Sequence, residues 1–518
     1  MKGKEKKPSV SKKIPSSSWQ DKLKIIFNKI RKILNMKIGA YKAINILAGL
    51  ICILLAFMVL SKVFNNITGS NDYPEYSLVY QNADGELRLL DKKDKEEGIK
   101  LSSSDSTTDV VYANTTERYI LFMKNSSLYL YDSKNKEETL KVLSDVKDYM
   151  FTPNDKYVVA TDEDNNLYSY NFKDEKQKLD SDISSIKDVS DTHVIYVKEG
   201  ALYIKGLKAS KDDKVKIESD YDSSAKISED GKKVLYINSD KELRFYTIKN
   251  GKSDKIANDV YEFYCDEECK KLYYVVSDGE FSIYYYNGKE ATKVVNDIYS
   301  VSDVSVEDKE VVYVLNEDGK YVLYYQKLDK EAVKIEDGLD SMVYAKIFKG
   351  KEIYYVNSDD EVRYVKIKGS KLGEVLTIAE NVEDSLRLYK KGYVFVADVN
   401  KNSNGDLYFA SNGKAKKVDE DVYSSYVKVS NNGKKVFYLK DYTSGSGDLY
   451  YTTGGKGKKI DTDVYRYQYI SDKLVYYLKD YSISKKRGDL YRYNGNKGIK
   501  VVENVSTMAS NPNYFKID

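Results

Sequence analysis

The 518-residue chain has one histidine, one tryptophan, three cysteines and five prolines. Each scarcity closes off some chemistry. A Ser-His-Asp hydrolase needs an imidazole beside its nucleophile, and His193 is the only histidine in the chain. It opens a β-like run, HVIYV, and no G-x-S-x-G motif occurs anywhere, so His193 reads as a structural or surface residue. Zinc centres built on cysteine and histidine need a second ligand pair, which is missing. Cys52 lies inside an apolar run and counts as a small hydrophobe. Cys265 and Cys269 remain, spaced C-x3-C across an expected turn. Outside a membrane the pair reads as a disulfide clamping CDEEC, with free thiols as the alternative and a metal the least favoured. So short a loop puts its entropic gain at the low end of disulfide effects.

Net charge is nearly absent, at +3 from 84 basic and 81 acidic residues, but it is not evenly spread. Residues 1–42 hold 13 Lys or Arg against Glu5 and Asp21, a net of +11, which leaves 3 − 11 = −8 for the rest. A basic arm at a membrane and an acidic body follow. No phosphate-cradling motif occurs, no cofactor is expected, and the acidic body argues against nucleic acid. Only nine of the 84 basic residues are Arg, a bias that fits an AT-rich bacterial genome.

Long apolar runs are missing too, with one exception. Ala43 to Ser61 is a 19-residue stretch without charge, flanked by Lys42 and Lys62. A helix of that length rises about 28 Å, which reaches across a hydrocarbon core of about 30 Å. The stretch exceeds a signal-peptide core and no A-x-A-like site follows before Asn65, so a retained transmembrane helix at 43–62 is expected. Basic residues precede it and acids follow it, which puts the N-terminus in the cytoplasm and the C-terminal part outside the cell membrane. Within the arm, 1–42, Trp19, Leu23, Ile26, Phe27, Ile30, Ile33 and Leu34 recur at helical spacing among lysines. They read as a basic amphipathic helix on anionic lipid, against the plainer reading of a topology-setting arm. Residues 63–75 read as a linker.

Residues 76–518 repeat. The clearest unit runs from Ser430 to Tyr467, where a turn, a V-F-Y-L run expected to alternate between two faces, a second turn and an L-Y-Y run are followed by two more short strands. A hairpin with a V-x-Y-like strand and an L-Y-x-Y-like strand recurs, its second strand anchored at Leu87, Leu128, Leu167, Leu202, Leu243, Ile283, Leu323, Val362, Leu407, Leu449 and Leu490. The separations are 41, 39, 35, 41, 40, 40, 39, 45, 42 and 41. A fixed period near 40 with four short strands per unit and Asp-Gly or Asn-Gly turns predicts an all-β architecture of β-propellers, with a solenoid as the weaker alternative. The 51 tyrosines then read first as packing between blades, rings buried and hydroxyls wet.

At Ile227 to Tyr236 (ISEDGKKVLY) and Phe151 to Val159 (FTPNDKYVV) the units resemble the F-S-P-D-G-K-x-I-x-F repeat of TolB-like propellers, relatives of the WD class. Asp230, Gly231 and Lys232 fit well, Phe151, Pro153 and Asp155 in part, and other copies keep only the turn and strand. The resemblance implies a propeller and transfers no site residue. About eleven repeats exceed the usual 4 to 8 blades of one ring, so one large ring or two packed rings are expected. The opening strand, Tyr76 to Tyr80, is placed to complete the blade made by the last residues.

Two loops differ between copies. Asp398, Asn400, Asn402 and Asn404 place oxygens at alternate positions, as calcium loops begin, but the sixth position is not Gly and the twelfth is Phe409, so a polar hairpin loop is favoured. Asp162 and Asp164 are weaker. The leading functional reading is a non-catalytic, membrane-anchored extracytoplasmic binding or scaffolding module for an envelope protein or polysaccharide, held to lipid by its helix and arm. A propeller enzyme acting on glycans through paired carboxylates is the alternative.

Overall fold

Short runs rich in Val, Ile and Tyr, broken every few residues by Asp, Asn and Gly, cannot sustain a helix but suit antiparallel strands. The computed structural model describes residues 78–508 apart from 91–96, 103–118, 125, 133–138, 155, 173–174, 209–213, 222 and 383–385. The arm at 1–42, the span at 43–62 and the linker at 63–75 lie outside the described residues. Among those described, no helix is long and apolar enough to cross a membrane. Pro74–Asp518 is one compact unit.

The described residues form antiparallel sheets whose strands follow one another in chain order. One sheet comprises Ser185–Val189, His193–Lys198, Ala201–Gly206 and Val215–Glu218. The next comprises Ala225–Ile227, Lys233–Ile237, Leu243–Thr247 and Lys252–Ala257. Four-stranded meanders stacked in this way are the blades of a β-propeller. Every anchor read from the period is at most 2% exposed, and all but Leu128, which is on the middle strand of a three-stranded sheet, sit in the third strand of their unit. The fourth strand slips register beside the anchor, for instance between Leu202 and Tyr203 and between Leu243 and Arg244, which bends it away.

Burial falls from the second strand outward. Val436–Leu439, expected to alternate, is buried at all four positions, as are Val194–Val197 and Val234–Ile237. A neighbouring sheet covers each face, so both sets of side chains leave water and the alternation disappears. The third strand Leu243–Thr247 keeps one partly open face, and its fourth strand, Lys252–Ala257, has no buried residue.

Apolar clusters bridge each sheet to the next. Ile195, Leu202 and Ile204 pack with Ile227, Val234 and Tyr236, and Tyr273, Val275 and Ile283 pack with Ile298, Val311 and Tyr313. The same arrangement repeats through the later units. The last cluster joins the two ends of the chain, with Leu78, Tyr80 and Leu90 packed on Leu478, Leu490 and Val505.

Three fourth strands do not stop at their sheet. Lys414–Val429, Lys458–Ser471 and Gly498–Met508 each pair with the third strand of one unit and continue as the first strand of the next. The last of them pairs with Arg487–Tyr493 and then with Leu78–Asn82, where Gln81 faces Thr507. The strand expected at Tyr76 to Tyr80 is thus Leu78–Asn82, and it meets the final residues as expected.

Candidate binding surface

Asp and Asn recur just before the buried aliphatic residue where one unit passes to the next, and backbone geometry explains them. Asp145, Asp259, Asn381 and Asn504 sit at φ of 53, 55, 55 and 56°, the left-handed region that short polar side chains tolerate best after glycine. Their carbonyls accept from the second-to-third turn of the following unit: Glu163 N–H at 2.8 Å, Ser277 at 2.7 Å, Asp398 at 2.9 Å and Ala83 at 2.7 Å. Turns and inter-unit connections therefore share one edge of the sheets, termed here the connecting edge.

The opposite edge carries the first-to-second turn, Ser228 to Lys233 in one unit. Ser228 Oγ donates to Asp230 at 2.8 Å and accepts from the Lys232 and Lys233 N–H groups. Ser430, Asn432, Lys434 and Lys435 repeat this arrangement. Gly231 at φ 66° is required on two counts, since a Cβ there would also meet Thr192 Oγ1 at 2.5 Å.

Tyrosine hydroxyls that were expected to stay wet instead find carboxylates. Tyr196 donates to Asp180 at 2.7 Å, Tyr438 to Asp419 at 2.5 Å and Tyr477 to Asp461 at 2.6 Å. In each case the acid ends the fourth strand of one unit and the tyrosine belongs to the second strand of the next. A lysine two residues after the tyrosine completes the group: Lys198, Lys440 and Lys479 stand 3.4, 2.7 and 2.8 Å from the same carboxylates. Tyr355, Glu336 and Arg363 are a variant. A buried hydroxyl without a partner is costly, and the carboxylate meets that demand. Burial pushes the Asp180 pKa up, but Lys214, Tyr196 and the Ser181 N–H outweigh it and hold the acid at about 2. Asp419 and Asp461 are lowered through the same balance, with Lys440 and Tyr438, and Lys479 and Tyr477, as donors. The signal was present in the sequence as an acid followed 16 to 19 residues later by Y-x-K, but pairing across units cannot be seen from spacing alone.

The residues singled out from the sequence are scattered. Cys265 and Cys269 share one first-to-second turn with their sulfurs 3.6 Å apart, both as free thiols. The neighbouring Cys269 thiol draws the Cys265 pKa down and its own is pushed up. His193 opens the strand His193–Lys198, half-buried, with Nδ1 2.8 Å from Thr192 Oγ1. In the 398–406 loop, Asn400 accepts from the Asn402 and Asn404 N–H groups, which is the bonding of a polar hairpin. Asp162 and Asp164 line an open hollow of about 460 Å³ with Asp145, Glu163 and Tyr168. Among the described residues no group of three or more His, Cys, Asp or Glu is placed to hold a metal ion.

What remains is aromatic surface on the connecting edge. The residue after the buried aliphatic where one unit passes to the next is Tyr261, Tyr299, Tyr344, Tyr423 or Tyr465 in five units. In the last two, Tyr442 and Tyr481 stack face to face on it, with ring centroids 4.2 and 3.9 Å apart. Tyr261, Tyr299 and Tyr344 are 63, 48 and 66% exposed. A separate groove of about 230 Å³ runs between two first strands, lined by Ser425, Tyr426, Lys428, Tyr467 and Gln468.

No family model and no curated protein matches the chain. Among solved structures it is similar to Kluyveromyces lactis Hsv2, at 10% identity over 52% of this chain and 99% of that one, with a TM-score of 0.31. The N-terminal domain of Nup159 aligns at 13% identity over 53% of this chain and 88% of its own, TM-score 0.27. A structure titled as the eukaryotic initiation factor aligns at 9% identity over 74% and 95%, TM-score 0.38. At these values the likenesses say nothing about ligand or partner, and the propeller is defined by the chain's own strand pairing.

Proposed function

We propose that the chain is a non-catalytic binding or scaffolding module, a TolB-like propeller of eleven units closed in one ring by the C-terminal strand and carried outside the cell on a single membrane helix. The observation that supports a binding role is the use already made of its reactive side chains. Three carboxylates held below their ordinary pKa, Asp180 at about 2 and Asp419 and Asp461 also lowered, are engaged by tyrosine and lysine between units. Perturbed groups of this kind mark active sites only when structure does not account for them, and here it does. The exposed part of the repeat is then free to act as surface.

A single ring is supported by the cluster that joins Leu78 and Tyr80 to Leu490 and Val505, since two rings would each need a closure of their own. Membrane attachment is supported by the uncharged stretch at 43–61 and the basic arm before it. An envelope polysaccharide or an envelope protein is the partner class that fits such a placement.

Binding is tested by presenting the 70–518 fragment to purified envelope polysaccharide and, separately, to solubilised envelope proteins. Retention by one of them is expected, and retention by neither removes the reading. Orientation has its own test in the full chain, where Asn71→Cys should react with a membrane-impermeant thiol reagent on intact cells. Reaction only after lysis would reverse the topology.

A further inference from the structure

Tyr261, Tyr299 and Tyr344 occupy one repeat position in three successive units, one residue beyond the buried Val260, Ile298 and Val343. Their surroundings hold the rings ready without covering them. Phe281 meets Tyr261 edge-on, at 5.3 Å between centroids and 67° between planes. Tyr321 meets Tyr299 at 4.9 Å and 63°. At the same position of later units Tyr442 and Tyr481 lie flat on Tyr423 and Tyr465, whereas Tyr261 and Tyr299 meet their neighbours only edge-on among the described residues. A stacking place that the chain fills with its own tyrosine in two units takes no flat-lying ring in three among the described residues.

The segments around these rings are mostly acidic. The connecting-edge segments 257–262, 277–280, 295–300, 316–320, 336–345 and 357–361 contain thirteen Asp or Glu and one base, Lys320. The opposite-edge segments of the same units, 265–271, 287–290, 305–310, 328–332, 348–352 and 369–373, contain ten acids and eight lysines. Part of the acidity is structural: Asp259 is fixed by its backbone geometry, Glu336 and Glu361 pair with Arg363, Asp337 with Lys334 and Asp340 with Lys320. Asp278, Glu280, Asp297, Glu317 and Asp318 are nevertheless exposed beside the rings.

We infer that this edge binds a linear glycan bearing amino groups. The inference rests on the binding-module reading and names its ligand class. Planar rings exposed in the same place on successive units suit a ligand that is itself periodic. A pyranose presents a C–H face to each ring, and its ammonium groups meet both the ring faces and the carboxylates between them. A protein partner is less well served, because the surface between the tyrosines is carboxylate and lacks the contiguous apolar centre of a stable protein interface.

The test uses the full chain in detergent with three probes: a β-1,4-linked glucosamine hexamer, its fully N-acetylated counterpart and an oligolysine of equal charge. The glucosamine hexamer should bind best. Replacing all three rings, Y261A/Y299A/Y344A, should weaken it on the order of 10- to 100-fold. The exchange Y261F/Y299F/Y344F, which keeps the rings, should stay within about 3-fold of the parent, because the stacking surface is retained. Equal binding by the alanine variant and the parent would overturn the inference, as would tighter binding of oligolysine than of the glycan. A parent chain that ignores every glycan but is retained by an envelope protein would overturn it and leave the module reading standing. Retention by no glycan and no protein would remove both.

Discussion

Deletion of residues 498–518 should abolish cooperative folding of the whole propeller, although it removes only the end of the chain. Gly498–Met508 is the fourth strand of the last unit and the first strand of the opening one. Val501, Val502, Val505 and Met508 are at most 8% exposed in the cluster that joins the two ends. Burying four such side chains is worth about 6 to 12 kcal/mol in total, which is comparable with the whole stability of a typical domain, about 5 to 15 kcal/mol. Ser506 Oγ also donates to the carbonyls of Gln81 and Asn82 at 3.0 and 3.1 Å. A point change at the centre of this contact, Val505→Asp, places an unpaired carboxylate at a fully buried position and should cost several kcal/mol. Thermal unfolding followed by circular dichroism reads both. An unchanged transition in either variant would mean that the terminal strand closes nothing.

Loss of one carboxylate between units should be the next largest effect. Asp419 is 12% exposed at its side chain and holds both Tyr438 and Lys440. Asp419→Ala leaves the hydroxyl and the ammonium without it and should destabilise by about 2 kcal/mol, more than an exposed pair and less than a fully buried one. Tyr438→Phe removes the hydroxyl together with its demand and should cost about 1 kcal/mol or less. The acid dependence has a definite sign. A carboxylate held low in the folded state stabilises it above the unfolded value, near pH 4, and loses that contribution as pH falls through its folded value. With Asp180 at about 2 and Asp419 and Asp461 also lowered, stability should drop between about pH 4 and about pH 2. The urea midpoint measured across that range should fall less steeply in D180N/D419N/D461N than in the parent. Parallel slopes would show that these acids are not held low.

The period of about 40 residues placed the anchor-bearing strands, because a buried aliphatic anchor followed by Tyr or Arg recurs in each of them. The turns were legible for the same local reason, since Ser-x-Asp-Gly and Ser-x-Asn-Gly satisfy their own backbone groups. The Val436–Leu439 run was misread as alternating, because two-sided burial depends on a neighbouring sheet that a single unit does not contain. Long strands such as Lys458–Ser471 were expected as two, since nothing in their composition interrupts or announces the passage from one unit to the next. For the tyrosines, repetition was a fair guide to packing and a poor one to exposure. Tyr261 and Tyr423 share a repeat position, yet only Tyr423 is covered, and the residue that covers it, Tyr442, lies in an LKDY run that recurs only at 478–481.

The central claim is that the chain closes on itself in one ring, and disulfide trapping across the closing strands tests it most directly. Gln81 and Thr507 are Cα partners separated by nearly the whole described chain. With the three native cysteines replaced by serine, Q81C/T507C should oxidise to a bond within one molecule, seen as faster migration of the unreduced chain that reduction reverses. Absence of that bond, or bonds formed only between molecules, would contradict the closed ring.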